Sequence, residues 1–148
     1  MKSLVILAIL LTCFSLQAKD KHINKNMNEV TNARTVITVT ETERAFILER
    51  MRRMLETLTS VQQALIVDSP ENADNLVRNL IAFTTENYPE GWYEKMPKHF
   101  QAMEDRLNER WRVLGENNTN DTKLIMKNTV QVMATCNACH RSFQIGLE

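Results

Sequence analysis

The chain has 148 residues, which is enough for one packed core and short for several domains. Eighteen basic and eighteen acidic side chains give a formal net charge of zero. This balance argues against a nucleic-acid-binding protein and against attraction to an anionic membrane surface, because both need a basic excess. Nothing in the composition indicates disorder or internal repeats.

The N-terminal segment has the pattern of a secretory signal peptide. A short basic start, Met1–Ser3, precedes the wholly apolar Leu4–Leu11, and Ala18 supplies a small residue at a cleavage point. The apolar run is too short to span a membrane. We therefore predict that residues 1–18 are removed on export, and that the mature protein lies in the periplasm without a membrane anchor.

Residues 19–39 are polar, rich in Lys and Asn, and are predicted to form a loose N-terminal arm. Val36–Val39 has the composition of a strand, but it is too short and solitary to make a sheet. The folded domain is therefore expected to occupy residues 40–148.

Helical patterns begin at Thr40. Thr40 and Glu43 have the spacing of a capping box at a helix N-terminus. Apolar residues then recur at alternating intervals of four and three, at Ile47, Met51, Met54, Leu58, Val61 and Leu65. Because this is a heptad seam, it predicts a long helix that packs against nearly aligned neighbours.

Three further helices follow the same logic. The second is predicted to begin at Pro70 and run to about Thr85, and a long loop over Asn87–Met96 carries the exposed-looking aromatics Trp92 and Tyr93. Pro97 begins the third helix, and Gly115 ends it. The last helix has an inner side of Ile125, Thr129, Val132, Met133, Cys136, Cys139, His140 and Phe143. Four amphipathic helices with short links predict an all-α, antiparallel up-down-up-down four-helix bundle.

The last predicted helix carries Cys136-Asn137-Ala138-Cys139-His140, a CxxCH motif. This motif is the attachment signature of a c-type haem: the thiols form thioether links to the porphyrin, and the imidazole binds iron. On a helix, positions i, i+3 and i+4 share one face, so both sulfurs and the ring can reach one flat group. The motif predicts one covalent haem c with His140 as an axial ligand.

Other interpretations of the two cysteines explain less. A thiol–disulfide redox pair is typically found near a βαβ unit, and the helical pattern of this chain offers no strands to build one. A structural zinc site would need two more ligands beside the cysteines, and apart from His140 the chain offers only His22 and His99. A haem-free helical interaction domain with a reversible Cys136–Cys139 disulfide remains an alternative.

The motif's C-terminal position separates this chain from the common small cytochromes c, because no methionine follows His140. The chain resembles class II cytochromes c, which comprise cytochrome c′ and the low-spin cytochromes c556. The resemblance lies in the CxxCH motif at 136–140 and in Arg50 followed four residues later by Met54. After the histidine the family often has an aromatic and then a basic residue, whereas here Phe143 precedes Gln144.

The resemblance implies roles for residues of the first helix. Arg50 is expected near a haem propionate, and Met54 is expected on the distal side of the iron. In the low-spin members a methionine at this position coordinates the metal. Met51, one turn earlier on the same seam, is the alternative ligand.

Two functions follow from these residues. If Met54 or Met51 binds the iron, the protein is a periplasmic electron carrier that serves redox partner proteins. If the methionine only packs, the protein is a five-coordinate binder of NO or CO, like cytochrome c′. The chain shows no acid–base pair or nucleophile, so we do not expect an enzyme. The resemblance also allows a homodimer formed through the first two helices.

Overall fold

The structure is a computed structural model, and it describes residues 33–116 and 120–148. The predicted signal peptide, His22 and most of the predicted arm lie outside the described residues. The chain divides into two compact units, Met1–Thr35 and Val36–Glu148, and the helices that the structure describes belong to the second. In chain order the elements are β1 (Thr35–Val39), α1 (Glu41–Ile66), α2 (Glu71–Glu86), α3 (Trp92–Lys95), α4 (Lys98–Gly115), α5 (Thr122–Ser142) and β2 (Phe143–Leu147).

The described part of the chain is mostly helical, as the sequence predicts. α1 packs against α2, α2 against α4, and α4 against α5. The apolar seams of these long helices form the main core, which includes Leu58, Val61, Val77, Leu80, Trp111, Leu114, Ile125 and Val132. None of the described helices is long and apolar enough to cross a membrane.

A small sheet departs from the all-α prediction. β1 pairs with β2, and the backbone N–H of Glu148 donates to the carbonyl of Val39 at 3.1 Å. Ile37 and Val39 are buried beside Phe143 in a second apolar cluster. The prediction that Val36–Val39 would form no sheet is wrong, because its partner strand lies at the other end of the chain. Phe143 consequently begins β2 instead of continuing α5.

The capping box at the start of α1 is confirmed. The Thr40 hydroxyl accepts the N–H of Glu43 at 3.3 Å, and the Glu43 carboxylate accepts the N–H of Thr40 at 2.8 Å. Lys95 pairs with the same carboxylate, and its hydrogen bond lowers the pKa of Glu43 below the usual value. The reciprocal bonds satisfy N–H groups that the first turn of a helix leaves without partners.

Replacing Thr40 with alanine is expected to lower the free energy of unfolding by about 1 kcal/mol, because the Glu43 N–H loses its acceptor. Urea denaturation followed by circular dichroism measures the loss. Thr40→Ser keeps the hydroxyl and should restore most of the stability. An equal loss in both variants would contradict a capping role.

The predicted middle loop contains a short helix, α3, and its aromatics are less exposed than expected. Trp92 is 2% exposed and packs edge-on against Phe100 with ring centroids 6.4 Å apart. Gly91 adopts a positive φ of 68°, which a residue with a side chain rarely takes, and so turns the chain into α3. Tyr93 is half-buried, and its hydroxyl donates to Asp105 at 2.7 Å. The expectation of an exposed Trp92 is therefore wrong.

Candidate functional site

A cavity of about 380 Å³ lies between α1, α4 and α5, and α3 and β2 each contribute one lining residue. Most of its surface is apolar or aromatic, and the side chains concerned are Phe46, Ile47, Leu55, Leu58, Trp92, Phe100, Met103, Leu107 and Ile145. Its size and apolar walls, interrupted by a few polar groups, are typical of cofactor and small-molecule sites.

α5 brings the CxxCH residues to one wall of this cavity. Cys136, Cys139 and His140 all line it, and both cysteines are free thiols that are partly buried. His140 is exposed overall, which indicates that it lies toward the opening of the cavity. Burial raises the pKa of each thiol above its usual value, so both are protonated near neutral pH.

α1 contributes two methionines to the same cavity. Met54 is 8% exposed and also belongs to the main core, whereas Met51 is 38% exposed. They are three residues apart, and the helix therefore presents both thioethers on neighbouring parts of one face. Met54 is the more deeply buried of the two.

Arg50 lies on α1 next to the two methionines, and its guanidinium belongs to a largely buried polar cluster with Glu104, Asn108 and Tyr88. Its guanidinium forms an ion pair with Glu104, and the two side chains are only 12% and 4% exposed. Arg50 also donates to the side-chain carbonyl of Asn108 at 2.9 Å, and the Tyr88 hydroxyl donates to the second Glu104 oxygen at 3.0 Å. Both oxygens of the buried carboxylate are thereby satisfied, as a buried charge requires.

Two further features describe this cluster. Burial and the neighbouring Glu104 charge raise the pKa of the Tyr88 phenol well above its usual value, so Tyr88 stays a hydrogen-bond donor. The Nε–H of Arg50 is buried and has no hydrogen-bond acceptor within 33–116 and 120–148. The guanidinium therefore has one N–H that can donate to a bound group once the side chains around it shift.

The structure brings the sequence-predicted site residues together. The residues of the motif, the two candidate methionines and the arginine all line this one cavity: Cys136, Cys139, His140, Met51, Met54 and Arg50. His99 is exposed and does not line the cavity. The centroid of its ring lies 5.5 Å from the centroid of the Phe143 ring. Trp111 and Phe143 are buried in the two apolar clusters and likewise do not line this cavity.

Sequence reasoning missed Glu104, Tyr88 and Trp92. Glu104 had a detectable signal, because it lies four residues after Phe100 and seven before Trp111, on the inner face of α4. A carboxylate at a core position of a helix needs a partner, and Arg50 is that partner here. Tyr88 and Trp92 fall in the connection between α2 and α4, where no periodic pattern indicates burial.

Comparisons with protein-family models, with curated proteins and with solved structures found no match. The resemblance to class II cytochromes c therefore rests on the motif residues. Within the described ranges no group of three or more His, Cys, Asp or Glu side chains is arranged to hold a metal ion.

Proposed function

We propose that this protein is a periplasmic c-type monohaem cytochrome that carries electrons. Cys136 and Cys139 would hold one haem c covalently, and His140 would bind its iron. The observation that carries the proposal is one apolar cavity with the CxxCH side chains from α5 and the thioethers of Met54 and Met51 from α1. A bound haem c supplies one-electron redox chemistry, which protein ligands and burial tune.

The chain's own residues fit that group. Two thiols and an imidazole on one helix face match the donor set of a c-type site, and a thioether is a further group that can bind haem iron. The aromatic and aliphatic lining would exclude water from the group. Arg50 would hold a propionate, as the resemblance implies, and its unpartnered Nε–H is a donor suited to a carboxylate.

For the architecture we propose an antiparallel up-down-up-down bundle of α1, α2, α4 and α5. The order of helix contacts supports it, because each of these long helices packs against the next one in the chain. A contact at 4.0 Å between the amide of Gln62 on α1 and the sulfur of Met133 on α5 links the first and last helices. A bundle of this topology places cofactor ligands on facing helices.

A five-coordinate binder of NO or CO is the second candidate. Met54 packs in the main core with Leu58 and Val61. This packing by itself explains a methionine at position 54 without iron binding, and so it favours a five-coordinate iron. The haem-free alternative with a reversible Cys136–Cys139 disulfide is disfavoured. Thiol–disulfide exchange needs a thiolate, and burial raises the pKa of both thiols.

The absorption spectrum of the reduced protein, matured in a strain that attaches c-type haem, tests the proposal. A sharp low-spin spectrum that CO leaves unchanged is expected for an electron carrier. A broad high-spin spectrum that CO converts would favour the gas binder and overturn the electron-carrier proposal. A colourless exported protein would overturn both.

Met54→Leu and Met51→Leu form a matched pair of variants, since each replaces a thioether with an isobutyl group of similar volume. We expect Met54→Leu to make the reduced protein high-spin and reactive toward CO, because no thioether would remain at the deeper position. Met51→Leu should leave the spectrum unchanged. The reverse result would identify Met51 as the ligand, and no change in either variant would show that neither methionine binds iron.

A further inference from the structure

A second cavity, of about 430 Å³, lies between α1, α2 and α4. We call it the α2 cavity, because α2 contributes Leu80, Ile81, Thr84 and Thr85 to its wall. The CxxCH side chains do not line it, and it shares only Arg50 and Met54 with the cavity that they line. It is therefore a separate space on the other side of these two α1 side chains.

The α2 cavity has a buried apolar interior and a polar mouth. Its interior includes Met54, Leu80 and Trp111, which are 8%, 5% and 2% exposed. The exposed residues around it are mostly polar or charged, and they are Thr85, Asp105, Asn108, Glu109 and Arg112. A concave apolar surface with a few polar groups and a volume in this range is typical of a small-molecule site.

Trp111 brings a hydrogen-bond donor to this interior. Its indole N–H is buried and has no acceptor among residues 33–116 and 120–148. A buried indole N–H usually has a partner, because leaving it unpaired costs free energy. Since Trp111 lines the α2 cavity, an acceptor atom of a bound molecule would satisfy this donor.

The charges around the α2 cavity disfavour an ionic ligand. Arg50 is already paired with Glu104, and Arg112 is paired with Glu109. Asp105 also lines the cavity, and within the described ranges it forms no ion pair. An anion would therefore meet an uncompensated carboxylate, whereas a simple cation has no acceptor for the indole N–H. A neutral molecule with an acceptor oxygen avoids both problems.

We propose that the α2 cavity binds a small neutral molecule that is largely apolar and carries a carbonyl oxygen. The carbonyl accepts the Trp111 N–H, and the hydrocarbon part packs against Leu80 and Ile81 in place of water. The proposal does not depend on haem, because no residue of the CxxCH motif takes part. It can therefore fail or succeed separately from the proposed function.

An NMR titration of the exported mature protein, labelled at its isoleucine methyl groups, tests this site. The probe is 1-tetralone, a bicyclic ketone. We expect the Ile81 methyl resonance to shift with a dissociation constant of about 1 mM or lower. The Ile47 and Ile145 methyl resonances should stay in place, because these residues line the other cavity. No shift at Ile81, or shifts only at Ile47 and Ile145, would overturn the proposal.

Two threonine variants locate the ligand. Thr85→Trp puts a large side chain at the mouth of the α2 cavity and should raise the dissociation constant at least tenfold. Thr59→Trp is the matched control, because Thr59 is also exposed and lines neither cavity. Each hydroxyl donates to the carbonyl four residues earlier at 2.9 Å. Equal affinities of the two variants would contradict binding in the α2 cavity.

Trp111→Phe tests the hydrogen bond, with tetralin as a second probe that lacks the carbonyl. We expect this variant to weaken 1-tetralone binding about tenfold more than tetralin binding, because only the ketone loses a hydrogen bond. Equal losses for the two probes would show that the cavity binds apolar molecules without the indole donor, and the carbonyl specificity would be wrong. Far-UV circular dichroism checks folding, and the threonine pair tests the site even if Trp111→Phe is unstable.

Discussion

The double variant Cys136→Ala, Cys139→Ala is expected to be exported without covalently bound haem. The two thiols are the only residues of the CxxCH motif that can form thioether links, and both line the cavity on α5. Acid–acetone extraction should leave haem on the wild-type chain and none on the variant. Haem staining of a denaturing gel gives the same information independently of protein yield.

Controls separate attachment from folding. Asn137→Ala changes an exposed residue inside the motif and should retain the haem. The two cysteines are only partly buried, so far-UV circular dichroism of the double variant should still show a helical protein. Haem that persists on the double variant would contradict thioether attachment. If the wild-type chain itself contains no haem, the cytochrome proposal fails as a whole.

Glu104→Gln is expected to lower the free energy of unfolding by about 3 kcal/mol, because it leaves the buried Arg50 charge without its compensating carboxylate. Glu104 is 4% exposed and receives both the Arg50 guanidinium and the Tyr88 hydroxyl. Urea denaturation of the two proteins measures the difference. Tyr88→Phe removes one hydrogen bond and leaves the ion pair, so we expect a smaller loss of about 1 kcal/mol.

Glu109 provides the control for this prediction. It forms an ion pair with Arg112 on the same helix, but both side chains are more than half exposed. Solvent screens such a pair, and Glu109→Gln should therefore change stability little. Equal losses in Glu104→Gln and Glu109→Gln would show that water already stabilises the Arg50 charge, and that the cluster is not a buried one.

Signals within one or two helical turns were readable in the sequence. The capping box of Thr40 and Glu43 is present with both of its hydrogen bonds. The seam from Ile47 to Val61 faces the core, apart from the partly exposed Met51. The CxxCH residues lie together because their spacing places them on one side of any helix. In each case the residues that decide the outcome are near neighbours in the chain.

The tertiary structure decided whatever depends on residues that are distant in the chain. The strand at Thr35–Val39 exists because Phe143–Leu147 pairs with it, and no local pattern indicates that partner. Trp92 is buried because other segments pack around it. Arg50 and Glu104 are far apart in sequence, and their ion pair forms only when α1 and α4 pack together.

For the candidate site too, some features depend on the sequence alone and others on the tertiary structure. The sequence by itself determined which side chains could bind a cofactor, because a thiol, an imidazole or a thioether has its chemistry wherever it lies. Only the packing of α1 and α5 determined that Met54, Met51 and the CxxCH residues share one cavity. The physical reason is that periodicity specifies the face of a helix, whereas the burial of apolar surface selects which faces meet.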